Sequence, residues 1–451
     1  MDKPNIFKIV TIALGVVIGI FAILVFSGKI PGVGTGDSSS NTNKPTLNVW
    51  GTVPEAAFNA AVSETAIRTA QPMSISYTYI EPNVFTDTLA RAAAVNTAPD
   101  LVIAESDLLL SANSLLYPMA YTYMSELEYK DTFVDTTHQY ALPFGALFYP
   151  VLIDPLITFY NRGMLSQAGL TGPIKTWSDL ARYQKELTIY DASGKPKQSA
   201  FAIGTYRNMS FAKDILMTQL AQLGHTPVKA LFYLGINNQV AANITTDVGI
   251  GTTGDDTVPD LVKILRFQTA FSDTQKTTFT WSETGDTDMN MFSRGQLGFY
   301  FARASTMSRI RAINQNIDIG ITYFPQFENT KALTTGGAVY GVAVVRTTAD
   351  PEYSISVARK FSDNIFSSML SSSLGMSSAR RDVLAGTDGS EKAEILGRSA
   401  LIMKTFYDSN PNSSETLVRS LYSDILSGRK SIVEAVDTFE RDWTKVYTKL
   451  Q

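Results

Sequence analysis

The stretch PVLIDPLITFYNRGMLSQAGLTGPIKTWSDL, residues 150–180, contains an apolar run followed by two helix-like segments in the middle of the chain. The apolar run is typical of a buried strand, and one carboxylate, Asp154, interrupts it. The segment MLSQAGL, 164–170, has the pattern of a short helix, and Thr176 can cap a second helix with Asp179 three residues later. No catalytic motif occurs here, so the stretch predicts a structural unit in which a strand leads into helices.

Strands and helices alternate on the N-terminal side of this stretch. Strand-like segments occupy 46–50, 74–80 and 101–104, and helix-like segments fill the two intervals between them, at 54–70 and 84–95. Similar segments return further along the chain, at FAIG (201–204), 210–223, LGFYFA (297–302), 305–315 and IDIGITYF (317–324). Because parallel neighbours need a crossover, this order predicts an α/β fold with mostly parallel sheets.

Length and composition narrow the class of protein. A chain of 451 residues exceeds what one hydrophobic core usually serves, so we expect two lobes. The net charge of −4, with no basic cluster beyond the N-terminus, argues against nucleic-acid binding. There is no cysteine, and the two histidines, His138 and His225, lie far apart in sequence. We therefore expect neither a thiolate nor a histidine metal site, and no cofactor.

The N-terminus carries a candidate membrane segment. Residues 9–26, IVTIALGVVIGIFAILVF, form an uninterrupted apolar run of 18 residues behind Lys3 and Lys8. At about 1.5 Å per residue such a helix nearly crosses a bilayer core, and the lysines favour an outside location for the rest of the chain. We predict that 1–27 is a single-pass transmembrane helix in the cell membrane and that 28–45 is a flexible linker. A cleaved signal peptide is the alternative, although such signals usually have shorter apolar runs.

We call residues 46–451, which follow the predicted linker, the exported part. Seven motifs in it resemble those of the extracellular solute-binding proteins of ABC importers, in the sugar-binding group that includes maltose-binding protein. The motifs occur in the order of that family over most of 46–447. They are LNVWG (47–51), APDLVIAESD (98–107), the stretch at 150–180, FSRGQLGFYFARAS (292–305), DIGITYFPQF (318–327), GMSSARRDVL (375–384) and SGRKSIVEAVDTFERDW (427–443).

The resemblance implies a periplasmic-binding-protein-like fold of type II, with two lobes that are each a mostly parallel sheet flanked by helices. Lobe one would comprise 46–152 and 316–341, and lobe two would comprise 153–315 and 342–451. The strand that ends at Tyr160 and Asn161 would then lead into lobe two. The implied function is that of a membrane-tethered monomer that delivers a small solute, a sugar or oligosaccharide, to the permease subunits of an ABC transporter.

Two considerations select candidate ligand-binding residues. Ligands of open α/β sheets bind beyond the carboxyl ends of strands, and sugars need polar groups for their hydroxyls and aromatic faces for their C–H surfaces. With the contact positions that the resemblance implies, these give the following set: Trp50, Thr52, Glu55, Asp107, Asp154, Tyr206, Asn208, Trp281, Arg303, Gly337 and Tyr340.

Structural roles are the alternatives for these residues. Asp107 could be a solvated loop carboxylate, whereas for Asp154 we favour a ligand role because a carboxylate in an apolar strand needs a partner. Trp50, Trp281 and Tyr340 could instead pack in the core. In the remaining cases Glu55 could favour a helix N-terminus, Arg303 could form a surface ion pair, and Gly336 with Gly337 could form a plain turn.

Two other functions compete with solute delivery. One is a surface adhesion or sensory module that binds a ligand without transporting it. The other is a glycan-acting enzyme in which Glu283 pairs with Asp286 or Asp288, as carboxylates do in glycosidases. These carboxylates lie in the polar segment WSETGDTD, which suits surface or helix-capping roles better. We therefore expect no catalytic residues.

Overall fold

The computed structural model describes residues 46–69, 73–234, 240–251, 257–328, 330, 332–386 and 389–448. The predicted transmembrane helix and linker, within 1–45, lie outside the described residues. Every helix in the described ranges is too short or too polar to span a bilayer.

The strands are numbered in chain order. They are β1 (Leu47–Gly51), β2 (Ile75–Tyr79), β3 (Leu101–Glu105), β4 (Leu116–Tyr117), β5 (Ala141–Leu142), β6 (Gly145–Ala146), β7 (Tyr149–Asn161), β8 (Ile189–Tyr190), β9 (Pro196–Phe201), β10 (Val228–Leu234), β11 (Val240–Thr246), β12 (Leu297–Arg303), β13 (Ile319–Thr322), β14 (Gly337–Val345) and β15 (Ser377–Ser378).

The α-helices are numbered in the same way. They are α1 (Glu55–Thr69), α2 (Phe85–Ala94), α3 (Ser106–Ser111), α4 (Glu126–Thr132), α5 (Arg162–Gln167), α6 (Leu180–Leu187), α7 (Ala212–Gln222), α8 (Asp260–Thr269), α9 (Asp288–Ser293), α10 (Thr306–Ile313), α11 (Pro351–Phe361), α12 (Asn364–Leu374), α13 (Arg381–Ala385), α14 (Glu391–Ile402), α15 (Pro411–Leu426) and α16 (Ile432–Thr448).

The apolar run of the quoted stretch forms β7, which joins the two halves of one large sheet. The first half of β7 pairs antiparallel with β14, where Ala338 lies opposite Asp154. The second half pairs antiparallel with β12 and β13, where Tyr160 lies opposite Phe299 and Gly320. The main sheet order is β2-β1-β3-β14-β7-β12-β9-β8. A strand of this length is possible because its residues are buried throughout except for the half-buried Tyr160.

The sheet is mixed, which corrects the prediction of mostly parallel lobes. Parallel pairing is found on the flanks, where β1 pairs with β2 and β3, and where β12 pairs with β9. The central strands β7 and β14 pair antiparallel with their main-sheet neighbours. The alternation of strands and helices predicts the flanks correctly, but it carries no information about the direction of two strands that are distant in sequence.

The buried apolar side chains form two clusters that divide at the middle of β7. Val151, Leu152 and Ile153 belong to the first cluster with β1, β3 and β14. Leu156, Ile157 and Phe159 belong to the second with β12 and β9. Asp154 and Pro155 lie between the two groups. The molecule is therefore a two-lobed α/β fold in which one strand contributes to both cores.

Helices α11 and α12 pack against helix α1. Phe361 of α11 and Phe366 of α12 contact Phe58 of α1 edge-on, with ring centroids 5.3 and 5.6 Å apart. These aromatic contacts add to the burial of apolar area, and all three side chains belong to the first cluster. The packing therefore places α11 and α12 against α1, and the predicted lobe boundaries stay predictions.

Candidate ligand-binding site

A cavity of about 690 Å³ is lined by segments from distant parts of the chain. Asp107 of α3 and the turn at 135–139 contribute one side, and residues from α7 contribute another. The segments 225–230, 333–337 and 401–406 and the side chain of Arg303 complete the lining. With the predicted lobe boundaries, residues of both lobes face this space.

Asp107 is the carboxyl group of the cavity without an ion-pair partner in the described part of the chain. Its oxygen Oδ1 lies 3.4 Å from the hydroxyl of Ser106, which is a weak contact. Burial, followed by the nearby charge of Asp408, raises the pKa of the Asp107 carboxyl well above its usual range. The ammonium of Lys213 acts in the opposite direction. Asp107 can therefore hydrogen-bond a ligand either as an acceptor or, when protonated, as a donor.

The charge of Lys213 is already balanced by the C-terminal part of the chain. Its Nζ lies 3.2 Å from Asp408 Oδ2 and 3.4 Å from Glu415 Oε2. The fully buried Asp408 also accepts hydrogen bonds from the hydroxyls of Ser414 and Tyr447, at 2.6 and 2.7 Å. This network satisfies the buried charges and holds α7, which lines the cavity, against α15 and α16.

Arg303 lines the cavity and connects β3 to α7. Its Nε donates to Asp214 Oδ2 at 2.6 Å, and its Nη1 donates to Glu105 Oε2 at 3.0 Å. Only 16% of its side chain is exposed, so it is not the surface ion pair considered as an alternative. Tyr340 lies opposite Glu105 in the β14–β3 pair and packs against the first cluster. Glu105 and Asp214 thus neutralise the Arg303 guanidinium, so that less of its charge is available to a ligand.

Gly337 lines the cavity at a place where only glycine fits. Its φ is +144°, and a Cβ there would lie 2.3 Å from the carbonyl oxygen of Asp154 and 2.7 Å from Met403 Sδ. A Cβ at the neighbouring Gly336 would also be too close to other atoms, because it would lie 2.1 Å from Thr218 Oγ1. The backbone therefore approaches its neighbours closely at both glycines, which a residue with a Cβ could not do without displacing them.

Asp154 has a structural partner and lies outside the cavity lining. It is 1% exposed, and it accepts hydrogen bonds from the backbone amide of Ser305 at 2.9 Å and from its hydroxyl at 2.6 Å. Burial raises the pKa of this carboxyl to about 6, although Arg303 and Ser305 act in the opposite direction. The expected partner of this buried carboxylate is thus internal, which revises the ligand role we favoured. Ser305 directly precedes α10, so the contact fixes the start of that helix.

Asn208 and Trp281 are joined inside the second cluster. The indole Nε1 of Trp281 donates to Thr205 Oγ1 at 3.0 Å and to Asn208 Oδ1 at 3.2 Å. The Asn208 amide donates to the carbonyls of Ser282 and Asp286. These side chains are satisfied internally, and Trp281 is 1% exposed, so the structure does not bring them to the cavity.

The remaining predicted residues also lie outside the cavity lining. The Tyr206 hydroxyl donates to Glu415, and the Arg419 guanidinium lies 5.4 Å from the Tyr206 ring centre. Trp50 packs partly buried against the first cluster. Glu55 is exposed at the start of α1. Thr52 follows β1, and its hydroxyl is buried without a hydrogen-bond partner in the described part of the structure.

The structure adds cavity residues that the sequence reasoning missed. Gln139 Nε2 donates to Thr405 Oγ1 at 2.7 Å, and the Thr136 hydroxyl lies 3.3 Å from the same atom. His225 and Lys229 line another part of the cavity. Thr136 and Gln139 are in the short 3₁₀ helix Asp135–Tyr140, none of these residues belongs to a motif, and Gln139 and Thr405 are 266 positions apart. No local sequence signal could have brought them together.

Two of the carboxylates considered for an enzyme, Asp286 and Asp288, have capping and packing roles. Asp286 accepts hydrogen bonds from Thr287 N and Asn290 Nδ2 and pairs with Arg294. Asp288 is buried and accepts two hydrogen bonds from Ser210 at 2.7 Å. In the ranges that the structure describes, no group of three or more His, Asp or Glu side chains could hold a metal ion.

Residues 74–369 match the family described as bacterial extracellular solute-binding protein. No curated protein sequence matches the chain significantly. The chain is similar in structure to the cyclic alpha-maltosyl-1,6-maltose binding protein of Arthrobacter globiformis, with a TM-score of 0.67 and 17% identity over 89% of this chain and 98% of that one.

Two further solved structures have similar values. The GacH receptor of Streptomyces glaucescens GLA.O, solved unliganded and with acarbose, has a TM-score of 0.66 and 14% identity, over 89% of this chain and 98% of that one. A cyclo/maltodextrin-binding protein complexed with maltotetraose has a TM-score of 0.65 and 15% identity, over 89% and 96%. At these identities the likeness establishes the shared two-lobed fold.

Proposed function

The chain belongs to the bacterial extracellular solute-binding protein family, and from this premise we propose that it captures a carbohydrate in the cavity and delivers it to an ABC importer. The family is one of binding proteins, which leaves no role for the enzyme considered from the carboxylates at 283–288. The observation that carries the ligand site is the pairing of charges around the cavity. Lys213 and Arg303 are neutralised by acidic partners, whereas Asp107 has no ion-pair partner in the described part of the chain.

The size and lining of the cavity support a carbohydrate ligand. A volume of about 690 Å³ lies within the range of roughly 300–1,000 Å³ that small-molecule sites occupy. Gln139, Thr136 and Thr405 offer hydrogen bonds to hydroxyls, and Met217 and Leu333 offer apolar contact. The likeness to proteins solved with maltotetraose and acarbose supports the same class of ligand.

A thermal-shift screen tests the proposal directly. The purified exported part is mixed with mono- and oligosaccharides, with amino acids and polyamines as the other classes. Because a ligand that binds only the folded state at 100 times its Kd adds about 2.7 kcal/mol to stability, a true ligand should raise Tm clearly. A hit confined to amino acids or polyamines would overturn the carbohydrate assignment.

We propose further that the chain stays tethered to the membrane by residues 9–26, with its binding part outside the cell. The support is the length of the apolar run and the lysines before it. Mass spectrometry of the protein purified from its native membrane checks this, because a mature N-terminus near Gly28 would mean that the segment is a cleaved signal.

For the lobes we propose a division within β7, with 351–374 assigned to lobe one.

A further inference from the structure

The ring of His225 is held between two carboxylates from different elements. Its Nδ1 lies 2.9 Å from Asp247 Oδ1 and 3.0 Å from Asp247 Oδ2, and its Nε2 lies 3.0 Å from Asp260 Oδ2. The side chain of His225 is 10% exposed and that of Asp260 is 1% exposed. A neutral imidazole has one N–H, whereas the imidazolium has two. Because both nitrogens face carboxylate oxygens, the charged ring can donate to both carboxylates, whereas a neutral ring can donate to only one.

The charges around the ring agree with this protonation state. Burial by itself lowers the pKa of the His225 imidazole, but the hydrogen bonds with Asp247 and Asp260 outweigh it and raise the pKa above the ordinary value of 6.5. Lys263 of α8 also contacts Asp260, at 2.9 Å. Asp247, Asp260 and Lys263 are thus charged groups at this site that lie within the described ranges. Asp255 and Asp256, which precede α8 in sequence, lie outside them.

The contacts of His225 with Asp247 and Asp260, called the clamp below, join three segments beside the cavity. Residues 226–230 form one wall of that cavity. His225 follows α7, Asp247 directly follows β11, and Asp260 begins α8. The residues that come next after His225, at 226–230, line the cavity together with His225 itself. On the other side of this wall, the indole Nε1 of Trp443 donates to the carbonyl of Pro227 at 3.0 Å. Residues 226–230 are therefore connected both to the clamp and to Trp443, so the indole signal of Trp443 can report a movement of this wall.

We propose that His225 is a positioning residue. Its charged ring bonds Asp247 and Asp260 at the same time and thereby fixes residues 226–230, the wall of the cavity. The role of this wall in ligand binding rests on the proposed function, whereas the positioning itself does not. When the ring loses a proton, one nitrogen presents a lone pair to a carboxylate oxygen, and that contact turns from attraction to repulsion. Asp260 keeps Lys263, and Asp247 keeps the backbone amide of Gly249. The histidine is then the member of the clamp that moves, and the wall moves with it.

Nuclear magnetic resonance of the exported part, without ligand, tests the positioning. The chain has two histidines and four tryptophans, so the ring signals of His225 and the indole signal of Trp443 can be assigned by single substitutions. We expect the Trp443 indole N–H signal to shift with pH at the same midpoint as the His225 ring. In His225→Gln that shift should disappear, because the amide does not titrate. In the matched control His138→Gln it should remain, because the Nε2 of His138 contacts backbone carbonyls and its Nδ1 lies 3.9 Å from Asp135, away from Asp247 and Asp260 in sequence.

Three outcomes would overturn the positioning role. They are a Trp443 signal that stays constant while His225 titrates, a Trp443 shift that persists in His225→Gln, and a His225 ring that titrates below its ordinary pKa. Should His225→Gln fail to fold, Asp247→Asn removes one half of the clamp at a half-exposed position. We expect that variant to lower the midpoint of the Trp443 shift, and an unchanged midpoint would count against the proposal.

A binding measurement separates this inference from the proposed function. Maltotetraose is titrated into the wild type and His225→Gln at about pH 6 and at about one unit above the measured His225 midpoint. We expect the wild type to bind several-fold more weakly at the higher pH and the variant to bind equally at both. Absence of maltotetraose binding at every pH, with the Trp443 shift intact, would count against maltotetraose as the ligand and leave the positioning role standing. Binding that is independent of pH would show that the wall does not position the ligand.

Discussion

Two aspartates of this chain, Asp154 in the long central strand and Asp107 in the cavity lining, have the same side chain but opposite surroundings. Asp154 accepts two hydrogen bonds from Ser305, which is 151 positions away, and it is not among the residues that line the cavity. Asp107 has one weak contact with its neighbour Ser106 and lines a space large enough for a ligand. Both have a raised pKa because both are removed from water.

The difference teaches that burial and a shifted pKa do not identify a binding residue by themselves. Asp154 satisfies its desolvated oxygens within the fold, so it contributes to stability. Asp107 leaves its hydrogen-bonding capacity open toward the cavity, so it can contribute to binding. The comparison predicts that changes near Asp154 are measured as lost stability and that changes at Asp107 are measured as lost affinity.

The largest change in the free energy of unfolding is expected when Arg303 is substituted, because its side chain joins Glu105 of β3 to Asp214 of α7 beside the cavity. Arg303→Ala leaves Glu105 and Asp214 as mostly buried carboxylates without their shared partner, at a cost of about 3 kcal/mol in the free energy of unfolding. Urea denaturation measures this cost. The matched control is Arg294→Ala, since Arg294 is 61% exposed and its pair with Asp286 should be worth less than about 1 kcal/mol. Equal losses in the two variants would contradict the assignment of Arg303 to a structural cluster.

Asp154→Ala should have the next largest effect, a loss of about 2 kcal/mol in the free energy of unfolding. The reason is that the amide and the hydroxyl of Ser305 lose their acceptor in a buried place. Asp154→Asn keeps an acceptor for the amide, so it should cost less. If Asp154→Ala instead keeps its stability and loses ligand, the comparison is reversed and Asp154 is a binding residue.

For Asp107 we expect a smaller free-energy change that falls on binding. Asp107→Asn removes the ionisable carboxyl group and should weaken carbohydrate binding by roughly tenfold, or about 1.4 kcal/mol, with little change in stability. Isothermal titration with the ligand found in the thermal-shift screen measures it. Asp135→Asn is the control, because Asp135 lines the same cavity but already pairs with Arg381. An Asp107 variant that binds as well as this control would remove Asp107 from the site.

The smallest effect is expected for the pH dependence of stability that His225 causes. Its folded-state pKa is raised, so its stabilisation is complete below the ordinary value of 6.5 and is lost as pH rises through the folded-state pKa. The Tm of the wild type should therefore exceed that of His225→Gln at about pH 5.5, and the difference should shrink toward about pH 9. A difference that grows with pH would mean that the ring is neutral in the folded state.

The local pattern of the chain determined its elements and, through the order of its motifs, its family. The apolar run at 150–160 predicts β7, and the pair Thr176 and Asp179 forms the capping box that the spacing indicates, with Thr176 N bonded to Asp179 Oδ2 at 2.9 Å. These features depend on residues a few positions apart, which sequence periodicity and capping rules describe. The family match over 74–369 confirms what the motif order suggested.

Only the tertiary structure decided which polar side chains serve the fold and which remain open to a ligand. The partners of Asp154, Lys213 and Arg303 come from positions 89 to 202 residues away. Trp281 and Asn208 have the residue types of a sugar site, but they satisfy each other inside the core. The physical reason is that a hydrogen bond or an ion pair depends on distance in space, and a single sequence does not specify which distant segments fold against each other.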